Sequence, residues 1–236
     1  EFDMNAYIDT RNKNQYKVKH IEVPNVMDED LAYYLGLLQG DGCLTLKTGV
    51  IFTSIDKELI DFFQNYNREV FGLETFRRNE DRYDYMVYSV YVREYLRQIG
   101  IGFEKSNEKV IPNSIMSAPK NIVSKFLRGL FDTDGTVNKN YASVTTSSEE
   151  MSIQIQQLLL NFGITSKRSK RFDKKFETYS YQIYFASNNI DIFSKEINFG
   201  LKRKRDILES HKNKIRNTNV NIIPYQSEKI KKILEN

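Results

Sequence analysis

"FLRGLFDTDG", residues 126–135, ends an apolar run on two acids set one residue apart, Asp132 and Asp134, followed by a glycine. Upstream, Ile122, Val123, Phe126, Leu127, Leu130 and Phe131 recur at helical spacing. The pattern predicts a helix that carries Asp134 in its last turn and stops at a left-handed Gly135. A helix C-terminus bears partial negative charge, so a carboxylate there costs about 0.3–1 kcal/mol unless a cation offsets it. The placement asks for a metal. Taken alone, the same letters also describe a solvated Asp-Gly turn after an ordinary helix.

A second copy tips that balance. Residues 31–42, "LAYYLGLLQGDG", again close an apolar helical stretch on an acid and a glycine, Asp41 and Gly42. Asp41 and Asp134 stand 93 residues apart, and the same offset lays Thr53-Ser54 on Thr146-Ser147. Each half continues with an acid-opened amphipathic helix ending near Gly72 or Gly163, then an aromatic strand, "YDYMVYSVYV" (83–92) or "TYSYQIYFAS" (178–187). A short helix and a basic segment close each half. This is an internal duplication, with a lead-in at 1–27, a first repeat at 28–111 and a proline-bracketed linker at 112–121. The second repeat runs over 122–210 and a tail over 211–236, with a short helix expected from Ser227.

Two repeats of this size suit one compact body of two similar subdomains. No apolar run is long enough to span a membrane and no apolar leader segment opens the chain, so an intracellular protein without membrane contact is expected. The single cysteine, Cys43, leaves no internal disulfide and reads as a core residue. Two histidines, His20 and His211, are too few for a zinc cluster or a His-rich nuclease centre. The net charge of +4 is uninformative, but its distribution is not. Six cations crowd residues 166–175 and four stand in a row at 202–205. Such runs are often plain solvated surface; here they interleave with Tyr, Asn, Ser and Thr on expected strands, a mixture that suits phosphate and base-edge contacts together.

The acid-bearing helices also share small residues four apart, Gly36 with Gly40 and Gly129 with Thr133. Packed along those strips about a pseudo-twofold axis, the helices would bring Asp41 beside Asp134. Two carboxylates at two negative helix ends repel each other unless divalent cations join them, and oxygen ligands favour magnesium over zinc.

"YLGLLQGDG" (34–42) and "FLRGLFDTDG" (126–135) resemble the two signature helices of LAGLIDADG homing endonucleases. The resemblance covers roughly residues 28–210, and it departs from the motif at Gln39, where the first acid is replaced, while Asp132 keeps it. It implies an α+β fold of two pseudo-symmetric αββαββα repeats, whose antiparallel sheets form a DNA-binding saddle around a central two-helix interface. It also implies metal ligands at Asp41 and Asp134, with the carbonyls of Gly40 and Thr133 as further ligands, and an active-centre lysine closing each half. "EKVIP" points to Lys109; in "GLKRKRDIL" the register leaves Lys204 as first choice and Lys202 in reserve. The saddle residues nominated for DNA are Thr45, Lys47, Arg77, Arg78, Arg82, Tyr83 and Tyr85 in the first half. In the second half they are Asn138, Lys139, Tyr141, Lys167, Arg168, Lys170, Arg171 and Tyr179.

The activity so implied is Mg²⁺-dependent hydrolysis of two phosphodiesters across the minor groove of double-stranded DNA. A monomer would leave 3′ overhangs at a long asymmetric site, with Mn²⁺ substituting and Ca²⁺ binding without supporting cleavage. An RNA-splicing maturase or a non-cleaving nucleic-acid binder of the same fold stays open beside it, as does an intein or intron origin. A calcium module is disfavoured, because "DTDG" lacks the further spaced acids of a full loop.

Overall fold

The computed structural model describes residues 21–78, 83–102, 104–138, 140–175, 177–210 and residue 233. Arg82, Lys139, most of the lead-in and nearly all of the tail, including the helix expected from Ser227, lie outside the described residues. The elements run α1 Glu29–Asp41, β1 Gly42–Cys43, β2 Val50–Thr53, α2 Lys57–Phe71, β3 Phe76–Arg77, β4 Asp84–Val87, α3 Val90–Gln98 and α4 Asn113–Met116. The second half follows with α5 Lys120–Thr133, β5 Gly135–Val137, β6 Tyr141–Thr146, α6 Glu149–Asn161, β7 Lys167–Asp173, β8 Thr178–Ala186, α7 Asn188–Glu196 and α8 Lys202–Glu209. The αββαββα order therefore occurs twice. Two antiparallel four-stranded sheets result, ordered β1-β2-β4-β3 and β5-β6-β8-β7. This is the expected α+β architecture.

Local chemistry explains the central pair. Asp28 opens α1 by accepting from the Leu31 N–H at 2.8 Å, and Glu29 and Asp30 fill the positive first turn. Along α1, nearly every residue from Leu31 to Gln39 is buried, as befits a helix enclosed by protein on all sides. Its partner α5 buries Ile122, Val123, Phe126, Leu127, Leu130 and Phe131. Glycines set the distance between the two. A Cβ on Gly36 would lie 2.1 Å from the Phe126 carbonyl oxygen, and one on Gly129 would lie 2.4 Å from that of Tyr33. Backbone thus meets backbone, which only glycine permits.

Each sheet then packs one face on helices. In the first half Phe52 and Tyr34 sit 5.1 and 5.5 Å from Phe63 of α2, ring centre to ring centre. Phe131 and Phe193 meet at 4.9 Å in the second. The helices after each hairpin end as expected, with left-handed glycines at Gly72 (φ 63°) and Gly163 (φ 79°).

Two expectations need correction. Gly135 is not a left-handed stop: it opens strand β5, and its counterpart Gly42 is extended at φ −87° and ψ 149°. Both positions need glycine for space, since an added Cβ would stand 2.3 Å from the Leu38 or the Phe131 carbonyl oxygen. The strand read over 83–92 stops at Val87, because Ser89 accepts from the Val92 N–H and starts α3 at Val90. Between the two sheets the chain forms α4 at Asn113–Met116 and then enters α5 at Lys120.

Candidate metal centre and nucleic-acid face

The C-terminal ends of α1 and α5 meet, and their last turns fit by size. A Cβ on Gly40 would fall 2.0 Å from the Thr133 hydroxyl and 3.4 Å from the Asp134 carboxylate. Thr133 in turn folds its hydroxyl back on the Gly129 and Leu130 carbonyls, at 3.2 and 3.0 Å. Asp41 and Asp134 therefore stand close enough for the charge of one to act on the other. Asp134 is the more enclosed: desolvation, and then the Asp41 charge, push its carboxyl up to about 7. Partial desolvation raises Asp41 as well, although its side chain keeps solvent contact. Lys109 and Lys204 oppose both shifts without cancelling them.

That electrostatic deficit fits a divalent cation. Two carboxylates that resist ionisation together, at the negative ends of two helices, form a hard oxygen donor set. No cluster of three or more potential His, Cys, Asp or Glu ligands occurs among the described residues. Among the described residues, carbonyl and hydroxyl oxygens are what remain to join them, with water or substrate oxygens completing the set. The Gly40 carbonyl already accepts from Lys109 at 3.1 Å, so it has only partial capacity for a metal.

Both nominated lysines reach these helix ends. Lys109 Nζ donates to the Gln39 and Gly40 carbonyls at 2.7 and 3.1 Å. Lys204 Nζ donates to the carbonyls of Phe131, Asp132 and Gly135 at 2.9, 2.7 and 2.6 Å. Each lysine closes the end of its own acid-bearing helix, where cations bond orphan carbonyls and complement the dipole. Burial lowers both ammonium groups, Lys204 to about 8. Lys202 stays on the surface, paired with Asp206 at 2.7 Å.

The exception to the repeat at Gln39 has a physical reason. The Gln39 amide donates to the Val110 carbonyl at 3.1 Å. Asp132 instead accepts, from the Gly200 and Leu201 N–H groups at 2.9–3.1 Å and from the Tyr33 hydroxyl at 2.7 Å. Both buried side chains hold the lysine-bearing segment of their own half. The first segment offers a carbonyl and needs a donor; the second offers N–H groups and needs an acceptor.

The sheet faces sort the residues nominated for DNA. In β7 and β8, cross-strand partners put Arg168, Lys170 and Tyr179 on the side of Ile183 and Tyr181. That side packs toward α6. Glu149 accepts there from the Tyr181 hydroxyl at 2.8 Å and pairs with Arg168 and Lys170 at 3.5 and 3.8 Å. Lys167 and Arg171 point to the opposite face with Ser169, Ser180, Gln182 and Tyr184. Tyr141 joins them, its ring 6.3 Å from that of Tyr184. Asn138 makes the adjacent turn, its side-chain oxygen accepting from the Asn140 and Tyr141 N–H groups.

In the first half Arg77 and Tyr85 share the helix-facing side through their pairing, and the Arg77 guanidinium lies 5.8 Å from the Tyr83 ring. Arg78, whose N–H bonds the Asp84 carbonyl, continues the opposite face. Thr45 and Lys47 are exposed in the β1–β2 connection. Sequence reading missed Gln182, Tyr184 and Thr145 on the open face, and the strict alternation of β8, with buried Tyr181, Ile183 and Phe185, was the signal that finds them. It also missed Tyr33, Asp56 and Arg203, whose partners lie more than ninety residues away.

A LAGLIDADG-like domain matches residues 121–198. Among curated proteins, the chain is 31% identical over 212 residues to a replication factor C small subunit of Methanocaldococcus jannaschii, covering 87% of this chain and 11% of that protein. It is 29% identical over 234 residues to a replicative DNA helicase DnaB of Synechocystis, covering 89% and 25%. The chain thus spans about a tenth to a quarter of the length of these relatives. Among solved structures, the homing endonuclease I-DmoI in complex with DNA and Mn superposes with a TM-score of 0.54 at 18% identity, over 73% of this chain and 97% of that one. Full-length DUF199/WhiA from Thermatoga maritima superposes with a TM-score of 0.53 at 15% identity, over 91% and 68%.

Proposed function

We propose, from a chain that has the LAGLIDADG fold and matches the LAGLIDADG-like domain over its second half, that it is a site-specific, divalent-metal-dependent DNA endonuclease. The observation that carries this reading is the meeting of Asp41 and Asp134 at two helix ends packed through glycines, where neither carboxylate ionises easily without added positive charge.

The roles follow from position. Asp41 and Asp134 would hold the metal, and the Gly40 and Thr133 carbonyls would be the backbone oxygens available to add to them. A bound divalent cation would supply Lewis-acid activation of water and neutralise charge on the leaving 3′ oxygen. Lys109 fixes the α1 end with two of its three donors among the described residues, which leaves one to face a scissile phosphate or the attacking water. Lys204 commits all three donors to carbonyls, so its role is to hold the Asp134 helix end. Lys167, Arg171, Tyr141, Gln182 and Tyr184 offer charged and polar groups on the open face of the second sheet, suited to phosphates and to major-groove base edges. Because the halves differ, a monomer would read a long asymmetric duplex and leave 3′ overhangs.

The relatives suggest an origin. Unrelated proteins, a replication factor, a helicase and an RNA polymerase subunit among them, share with this chain only a fraction of their own length. A segment common to such hosts behaves as an inserted element, which favours the intein setting over a free-standing enzyme.

The decisive experiment incubates the chain with a randomised duplex library in Mg²⁺, with Ca²⁺ and Asp134→Asn as controls, and sequences the ends. Cuts at one long site that need Mg²⁺ and vanish in Asp134→Asn support the endonuclease. Enrichment without cutting overturns it in favour of the nucleic-acid binder of the same fold, a second reading encouraged by the broad superposition on WhiA.

A further inference from the structure

We propose that each strand cut is braced by the opposite half of the molecule, with Asp56 acting as positioning residue for the Lys204 centre and Gln154 for the Lys109 centre. The inference rests on the endonuclease reading and adds to it a division of labour between the two strands.

The contacts cross the pseudo-twofold axis in both directions. Asp56 stands at the N-terminus of α2 in the first repeat and caps no helix N–H with its side chain. Its two oxygens instead take Arg203 of the second repeat in a bidentate pair, at 2.9 and 2.8 Å. Glu58, two residues on, lies 3.3–3.4 Å from the Lys202 N–H. Lys202 and Arg203 are the first two residues of α8, and the next is Lys204. The first turn of that helix is therefore moored to the first repeat while its lysine plugs the end of α5.

The reverse brace is neutral. Gln154, on α6 of the second repeat, accepts from the Ile111 N–H at 2.7 Å, two residues beyond Lys109. Met151 of the same helix takes a Gln39 N–H at 3.5 Å, and Gln39 also holds Val110. In each half, then, the helix after the first hairpin grips the lysine segment of the other half. Bidentate Arg–carboxylate geometry fixes orientation as well as distance. A reacting group misplaced by about 1 Å can cost up to about a hundredfold in rate, whether it is Lys109 itself or the Asp134 helix end that Lys204 holds, so slackening one brace should slow one centre and spare the other.

The test is a strand-resolved cleavage assay on a duplex carrying different labels on its two strands, using the full chain in Mg²⁺ at saturating protein. Asp56→Ala and Arg203→Ala should slow the same strand by about tenfold or more relative to the other. Gln154→Ala should slow the opposite strand, Asp56→Glu should keep close to the wild-type strand ratio, and duplex affinity should change less than about threefold. Equal slowing of both strands in every variant, or slowing of the same strand by both braces, overturns the proposal.

Amide hydrogen exchange on the same proteins provides a readout free of activity. Asp56→Ala should raise exchange in 202–209 and leave 108–112 unchanged, and Gln154→Ala should do the reverse; uniform change, or none, overturns the brace. If wild-type protein binds duplex without cutting, the endonuclease reading fails by itself, and the exchange pattern decides the bracing alone.

Discussion

The C-terminal ends of α1 and α5 perform one architectural task with opposite chemistry. At the first, a glutamine donates to a carbonyl and a lysine bonds two carbonyls among the described residues. At the second, an aspartate accepts from N–H groups and a lysine is fully committed to three carbonyls. Asp41 keeps contact with solvent, whereas Asp134 is largely enclosed. A duplicated fold thus preserves where its groups stand while the two copies drift in what each group does. The Lys109 end is the more exposed of the two, and the Lys204 end is the more buried.

The lysines give the largest contrast. Lys204→Met removes a buried ammonium and leaves three carbonyls short of a donor, so it should destabilise the fold by about 3–5 kcal/mol, read as a lowered urea midpoint with unchanged slope. Lys109→Met should cost about 1–2 kcal/mol and instead slow cleavage far more than binding. Equal destabilisation by both would erase the distinction between the ends. Equal losses of cleavage and binding in Lys109→Met would reduce that lysine to a phosphate contact.

Asp134 sharpens the comparison through pH. Its carboxyl titrates at about 7 in the folded chain against an ordinary 3.8, so between those values the folded state holds the proton that the unfolded state has lost. The stabilising contribution is full below about pH 4 and disappears as pH rises through 7, a fall on the order of a few kcal/mol in metal-free protein. In unfolding titrations across this range, Asp134→Asn should flatten the decline more than Asp41→Asn does. The opposite ranking would make Asp41 the enclosed acid.

Much of this was legible in the sequence. The 93-residue offset between Asp41 and Asp134 carried the duplication, the acid-bearing helices and the small-residue seam, because those features depend on local spacing. Lys204 was separable from Lys202 only in space, since four consecutive cations give no register until one of them is found buried. The faces of β7 were also hidden. Its letters, Lys-Arg-Ser-Lys-Arg, are cationic on both sides, and only the pairing with β8 and the Glu149 contacts assign each side. Gln39 looked like a lost acid because its partner, the Val110 carbonyl, lies 71 residues away.

That partner makes Gln39 a test of polarity. Gln39→Glu presents a carboxylate to a carbonyl oxygen and should cost about 1–3 kcal/mol at pH 7. Protonation converts the same side chain into a donor, so the penalty should shrink as the pH falls toward 5. A Glu variant as stable as the wild type at pH 7 would mean that the Val110 contact carries no weight, and the donor-for-acceptor account of the two ends would fail.

The smallest expected effect separates the two faces of one strand. Arg168 and Arg171 lie three residues apart on β7, but Arg168 faces α6 and pairs with Glu149, while Arg171 sits on the open side. If the open face of the second sheet meets DNA, Arg171→Ala should remove about one phosphate contact and reduce the salt slope of binding by about 1. Arg168→Ala should leave that slope unchanged and cost about 0.2–1 kcal/mol of stability through the lost ion pair. Duplex affinity measured from low to moderate salt decides between them. A reduced slope for Arg168→Ala with none for Arg171→Ala would put the nucleic acid on the other side of the sheet. An unchanged slope in both would move the contact off β7, leaving Tyr141, Gln182 and the first sheet to account for binding.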